Sequence, residues 1–107
     1  MINESLLYFA EDTTAADSAA LYSASSFLGM ELASATTVKL TFKAATNAAA
    51  IATAVFSFTG KFKDACRAIA GALNSNTMTV VADETNGVYL KYNGGSFFGV
   101  VTVDNVV

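Results

Sequence analysis

Apolar side chains recur along residues 59–74 at the period of a helix. Phe62, Cys66, Ile69 and Leu73 are spaced by four, three and four, which places them on one helical face. Lys61, Lys63, Asp64 and Arg67 lie mostly off that face. Thr59 or Gly60 can cap the start, and Asn74 suits a left-handed residue just past the end. Burying four such side chains gains roughly 6–10 kcal/mol. Ordering a helix of this length costs more than that, at about 1–2 kcal/mol per residue. The helix therefore has to lie on a sheet.

The flanking segments supply one. Residues 5–10 (Ser-Leu-Leu-Tyr-Phe-Ala) form a short aromatic-rich strand. Residues 37–43 alternate strictly, Val38, Leu40 and Phe42 facing one way and Thr37, Lys39, Thr41 and Lys43 the other. Residues 44–49 lack bulky side chains and are expected to turn. Residues 51–58 alternate again, with Ala54, Phe56 and Phe58 on one face, so the two strands make a hairpin that feeds the helix through Thr59-Gly60. After the helix come strands at 78–82, 88–92 and 97–103, separated by Asn86-Gly87 and Asn93-Gly94-Gly95. A two-residue loop at Asn86-Gly87 would set Glu84 opposite Tyr89 and diagonal to Lys91, but it would also set Asp83 opposite Leu90 on the core face. Either Asp83 has a partner or the turn is longer. Residues 11–18 are acidic and small, hence a loop. Residues 19–31 are also read as loop: Asp17 could cap a short helix through Leu21 and Ala24, but the serines and Gly29 argue for an irregular segment. The pattern describes a mostly-β domain with one helix packed across a sheet; an α+β two-layer sandwich is the alternative arrangement.

Composition adds a surface problem. The chain has 107 residues, 53% hydrophobic and 14% charged. That is one domain, 1–107, with enough apolar material for a real core and too little charge to cover it well. Uncovered apolar surface usually meets a partner or another copy. The net charge of −3 argues against a general nucleic-acid binder. The charges are also uneven. Glu4, Glu11, Asp12, Asp17 and Glu31 precede any base, whereas Lys39, Lys43, Lys61, Lys63 and Arg67 face Asp64 alone over residues 39–67. These halves either neutralise one another within the fold or meet across a subunit boundary; the weakness of surface ion pairs favours the first. The opening Met1-Ile2-Asn3-Glu4 carries an early acid and no basic region, unlike a signal peptide. No apolar run is long enough to span a bilayer, so no membrane partner is expected.

Most catalytic chemistry lacks its parts. With no histidine there is no histidine-based triad, general base or imidazole metal ligand. The single cysteine, Cys66, cannot form an internal disulfide, and on an apolar helix face it reads as a small inert core residue. Asp83 and Glu84 could bind a cation or work as an acid pair, but adjacent acids beside a hairpin turn are more often simply solvated. Gly94-Gly95 is followed by no helix and is a turn, not a phosphate loop. No enzyme activity, metal or cofactor is expected.

Two features remain. Residues 97–103 carry no charge and no proline, so an open edge there would need cover, either inside the sheet or from the next subunit. Phe97, Phe98, Val100, Val101 and Val103 are the candidate subunit interface, and head-to-tail pairing that closes would give a ring. A strand central to its own sheet explains the same stretch equally well. The second feature is the set Lys39, Lys43, Lys61, Lys63, Arg67, Tyr89, Lys91 and Tyr92, cations for phosphate and tyrosines for base stacking, as in a single-strand binder. An ordinary solvated face is the plainer reading, although a ring would repeat a weak patch in every subunit.

Four stretches resemble a known family: Ser5-Leu6-Leu7-Tyr8-Phe9, Ser26-Phe27-Leu28-Gly29-Met30-Glu31, Lys61-Phe62-Lys63-Asp64-Ala65-Cys66-Arg67-Ala68-Ile69-Ala70 and Thr79-Val80-Val81-Ala82-Asp83. They are similar to a family of small proteins abundant in marine metagenomes and thought to come from cyanophages, and the resemblance covers most of the chain. It implies a small, strongly bent antiparallel sheet or barrel of the Sm-like (SH3-like) kind, with one helix. It further implies a homo-oligomeric ring, a pentamer to heptamer, located in the cytoplasm of an infected bacterial host or in the virion. Sm-like proteins bind RNA, so RNA is the ligand expected by analogy of fold. The helix here lies mid-chain, whereas Sm proteins carry theirs at the start. No arginine-glycine pair like that of the second Sm motif is present, so their nucleotide-pocket residues have no counterparts in this sequence. A virion structural or capsid decoration role is the alternative, on the low charge, the alanine- and threonine-rich composition and the uncharged strand.

Overall fold

The structure, a computed structural model, describes residues 4–11, 19–44 and 50–104, without the side chains of Val100 and Val101. The expected loop at 12–18 and the expected turn at 45–49 lie outside the described residues. Period-two alternation makes strands that bury one face. Thus β4 (Thr37–Lys43) buries Val38, Leu40 and Phe42, and β5 (Ile51–Phe58) buries Ala52, Ala54, Phe56 and Phe58. They pair antiparallel from Thr37↔Ser57 to Lys43↔Ile51, the expected hairpin. With β3 (Phe27–Leu32), β8 (Lys91–Tyr92) and β9 (Gly95–Asp104) they build a strongly curled antiparallel sheet in the order β3-β4-β5-β9-β8. A second sheet is mixed: β1 (Leu6–Ala10), β2 (Ala19–Ser23), β6 (Met78–Asp83) and β7 (Val88–Tyr89), in the order β2-β1-β6-β7.

Three expectations about the strands are corrected. Residues 19–31 are not loop. They form β2, a 3-10 turn at Ala24–Ser26 and β3. What decides it is pairing: β2 lies along β1 from Leu6↔Ser23 to Ala10↔Ala19, and β3 lies along β4. Ser25 and Ser26 occupy the turn, where the Ser25 side chain and its N–H, which donates to Glu4 Oε1 at 2.6 Å, hold the Glu4 carboxyl below its usual range. The second correction is the parallel pairing of β1 with β6, where an all-antiparallel sheet was expected. The curled sheet's β3 to β5 and the helix intervene between them, and a connection of that length allows parallel neighbours. The third is that 88–92 is not one strand. Leu90 is a corner: its N–H donates to the Val81 carbonyl at 3.0 Å in one sheet, and its carbonyl accepts the Phe97 N–H at 3.1 Å in the other.

The Asn86-Gly87 turn is longer than two residues, and Asp83 also has a partner. Asp83 pairs with Val88 and Ala82 with Tyr89, leaving residues 84–87 as the turn. The Asp83 carboxylate is 5% exposed and accepts the Asn86 N–H at 3.2 Å and the Asn86 Nδ2 at 2.9 Å. Asp83 is therefore a turn-former that a buried acid can be, because its lone pairs are met within three residues.

The helix α1 (Phe62–Leu73) forms where its period placed it. Its buried face is Ala65, Ile69 and Ala72, flanked by half-buried Phe62, Cys66, Ala68 and Leu73. Ile69 is the one large member of the expected stripe at the centre; alanines sit beside it and let the helix approach closely. Lys61, not Thr59 or Gly60, is the N-cap residue, and no side chain caps it. Asn74 is not left-handed (φ −107°) and instead donates from Nδ2 to the Ala70 carbonyl; the left-handed residue is Asn76 (φ 55°). No helix among the described residues is long and apolar enough to cross a membrane.

The core is aromatic. Phe9 meets Tyr22, Phe42 and Phe56 at centroid distances of 6.1, 5.9 and 5.7 Å, and Phe56 meets Phe97 edge-on at 4.9 Å. Curling depends on bulges. Opposite Val55, Phe56 and Ser57, β9 advances two residues for each one of β5, so residues 99 and 101 are extra. Gly99, at φ +59°, supplies the left-handed backbone one of them needs.

Two predictions follow from this core. Phe9→Ala removes the ring shared by both sheets and should cost about 3–5 kcal/mol in chemical denaturation. Tyr22 is 5% exposed, and its hydroxyl has no hydrogen-bond partner among the described residues. Burial, helped by the Asp104 charge, pushes its phenol up to about 12 from an ordinary 10.0. Its folded pKa lies above its unfolded one, so stability is full below pH 10 and falls as pH rises towards 12. Tyr22→Phe should flatten that alkaline decline and leave stability at neutral pH unchanged or higher, measured by denaturation across the pH range.

Candidate functional site

The junction between β5 and α1 fixes one corner of the surface. Thr59 donates its N–H to the Ser96 carbonyl at 2.9 Å, and the Ser96 N–H donates to Thr59 Oγ1 at 3.0 Å. The Tyr92 hydroxyl donates to the Thr59 carbonyl at 2.5 Å. Backbones touch here. A Cβ on Gly60, which sits at φ +82°, would lie 2.6 Å from the Gly94 oxygen, and one on Gly95 would overlap the Thr59 carbonyl. Glycine is required on both sides of the contact. The start of the helix is thereby pressed onto the β8–β9 turn.

That contact creates a groove of about 160 Å³ lined by Asp64, Arg67, Ala68, Tyr92 and Asn93. It joins two of the expected nucleic-acid residues, Arg67 from the helix and Tyr92 from β8. The Tyr92 ring packs edge-on against Phe97 at 5.1 Å, which fixes its orientation. Burial pushes its phenol up, and the Asp64 carboxylate adds to the shift. A guanidinium beside an aromatic ring suits stacking with a planar group, while Asp64 opposes a phosphate in the same place. Asp64 and Asn93 were not among the sequence candidates; Asp64 stands one helical turn before Arg67, the signal that could have shown it.

The remaining candidates do not converge on the groove. Lys61, Lys63 and Lys91 are exposed on the helix start and on β8. Tyr89 is half-buried against the core. Lys39 lies on β4 and pairs with Glu31 across β3 at 3.3 Å, so acid and base neutralise one another within the fold at this point. Lys43, at the other end of β4, borders a groove of about 340 Å³ with Leu6, Leu21, Tyr22, Ser23, Ser26 and Ala44. Of the interface candidates, Phe97 and Val103 are buried in the chain's own core, so their side chains are not available to a neighbour. Phe98 is 46% exposed. The side chains of Val100 and Val101 lie outside the described residues. The strand itself is internal to its sheet, lying along β5 on one side and beginning beside β8 on the other.

A different apolar surface is uncovered. On the outer face of the mixed sheet, Leu21, Tyr8 and Val80 stand in one row, and Ser23, Leu6 and Met78 in the next. Leu21 and Met78 are each 50% exposed, and neither row holds a charge. The sequence hid this face because Leu21 fell in a segment read as loop. Burial pushes the Cys66 thiol up, away from the reactive thiolate. Among the described residues no three acids or cysteines are grouped closely enough to hold a metal ion. Comparison with family models, with curated proteins and with solved structures finds no match for this chain.

Tyr92→Phe should cost about 0.5–1.5 kcal/mol, the value of one exchanged hydrogen bond, and should speed amide exchange in the first turn of α1. Hydrogen exchange read residue by residue checks both the size and the place of the effect.

Proposed function

We propose that this chain is a non-enzymatic, phage-derived subunit that assembles with identical copies into a ring in the manner of Sm-like proteins, a pentamer to heptamer. The observation that carries the reading is the pair of uncharged rows on the outer face of the mixed sheet, where Leu6, Tyr8, Leu21, Met78 and Val80 stand together with Lys43 at their border. With 14% of residues charged, the chain has little with which to keep such a face in water. A curled antiparallel sheet with one helix is compatible with an Sm-like barrel. The position of α1 between β5 and β6, and the mixed second sheet, are its departures from that pattern.

RNA is the proposed ligand of the assembly, and the Arg67–Tyr92 groove supports it. One groove per subunit is weak, but a ring presents several to one strand. The expected results are a single closed oligomer by native mass spectrometry and salt-sensitive binding of single-stranded RNA that weakens in Arg67→Ala. A monomer at micromolar concentration overturns the ring. An intact oligomer with no salt-sensitive RNA binding overturns the ligand and leaves the assembly.

A further inference from the structure

Asparagine stands directly before glycine twice in this chain, at 86–87 and at 93–94. Such a pair is open to a reaction of its own. The glycine nitrogen can attack the asparagine Cγ, and glycine, with no Cβ, leaves that approach unhindered. Both pairs lie in exposed turns with the glycine at positive φ, 66° at Gly87 and 92° at Gly94.

The two differ in how the asparagine is held. The Asp83 carboxylate, 5% exposed, accepts the Asn86 N–H at 3.2 Å and its Nδ2 at 2.9 Å. That side chain is fixed, and attack on its Cγ would build negative charge beside a carboxylate. The Asn93 side chain is exposed, lines the Arg67–Tyr92 groove and has no hydrogen-bond partner among the described residues. Asp64 lines the same groove, but it makes no hydrogen bond to Asn93, and Arg67 offsets its charge there.

We propose that Asn93 is a site of spontaneous modification, deamidating through a succinimide to aspartate or isoaspartate, and that Asp83 protects Asn86 from the same reaction. The Gly94 nitrogen gives up its proton and bonds to the Asn93 Cγ. The Cγ–Nδ2 bond breaks, and ammonia leaves with that proton. Water then adds to one carbonyl of the ring and opens it. One opening gives aspartate; the other gives isoaspartate, whose main chain runs through Cγ and is longer by one methylene. Either product puts a second acid into a groove whose lining holds Asp64 and Arg67. The isoaspartate does more. A Cβ on Gly60 would already lie 2.6 Å from the Gly94 oxygen, so the turn has no slack for a longer chain. The start of α1, seated on that turn, should loosen. None of this depends on what the groove binds or on whether copies of the chain form a ring.

The test holds the full chain in mildly alkaline buffer for some days and maps its peptides, resolving asparagine, aspartate and isoaspartate at both positions. Conversion at position 93 should outrun that at position 86 by about tenfold, the weight of one hydrogen bond to a charged group. In denaturant the two should convert at similar rates, because each precedes glycine and the fold no longer separates them. Asn93→Gln should stop conversion at its position, since the larger ring closes far more slowly. Asn93→Asp adds charge without lengthening the chain and should keep the parent's amide exchange in the first turn of α1. The isoaspartate protein, separated by chromatography, should exchange faster there. Equal conversion at both positions in the folded protein overturns the proposal. So does a folded chain in which position 86 converts first, or in which neither converts while both do in denaturant. An isoaspartate protein that exchanges no faster than Asn93→Asp overturns the effect on α1 and leaves the modification site.

Discussion

Phe9 is where the two sheets become one core. It stands on β1 of the mixed sheet, touches Tyr22 of that sheet, and reaches Phe42 and Phe56 of the curled one. Flat sheets would let such rings meet along a plane. Here the extra residues of β9 bend it around Phe56 until Phe97 meets that ring edge-on. Small residues make the geometry fit. Ala52 and Ala54 precede Phe56 and Phe58 on the inward face of β5, so volume is added at one end of the strand and withheld at the other. The curl is thus a packing consequence of where large and small side chains stand.

The helix is held by its start more than by its length. Its buried residues are mostly alanine, which removes little apolar surface from water, and no side chain caps its N-terminus. What replaces the cap is the close contact of Thr59 and Gly60 with the β8–β9 turn, a contact that two glycines permit and the Tyr92 hydroxyl closes. The same contact brings Arg67 and Tyr92 to either side of one groove. Structural need and candidate chemistry therefore fall on the same residues, and Tyr92 serves the first directly.

The surface separates into parts with opposite treatment. At the Val103 end of β9 a backbone N–H is taken by the Glu11 carboxylate, whereas the outer face of the mixed sheet carries rows of apolar side chains with no charge among them. Lys39 and Glu31 neutralise one another on the curled sheet, so one base of the 39–67 stretch meets one acid of the first part within the fold. Self-association by side-chain contact on that apolar face is compatible with this arrangement.

The strands β4, β5 and β6 and the helix α1 were legible in the sequence, as was the middle of β9, which begins two residues before the expected 97 and ends one after 103. β4, β5 and α1 each have one buried and one wetter face, and alternation or a three-four spacing records that locally. The expected cap at Thr59 does not form, because the Thr59 hydroxyl accepts from the N–H of Ser96, a distant residue. β2 and β3 were missed for a similar reason: their strand character comes from β1 and β4, not from their serine-rich composition. Leu90 gave no sign of turning from one sheet to the other, since both of its hydrogen bonds go to other segments. For the site, residue type marked Arg67 and Tyr92 but could not separate them from Lys39, which has a partner, or Tyr89, which is packed inward. Sequence by itself determined the class, a mostly-β chain with one amphipathic helix and too little charge for its apolar content, because these are sums and short-range periods. Tertiary structure alone decided that β1 and β6 run parallel, that Phe97 and Val103 face inward, and that Glu11 meets Val103, because each depends on which distant segments the curled sheet brings together.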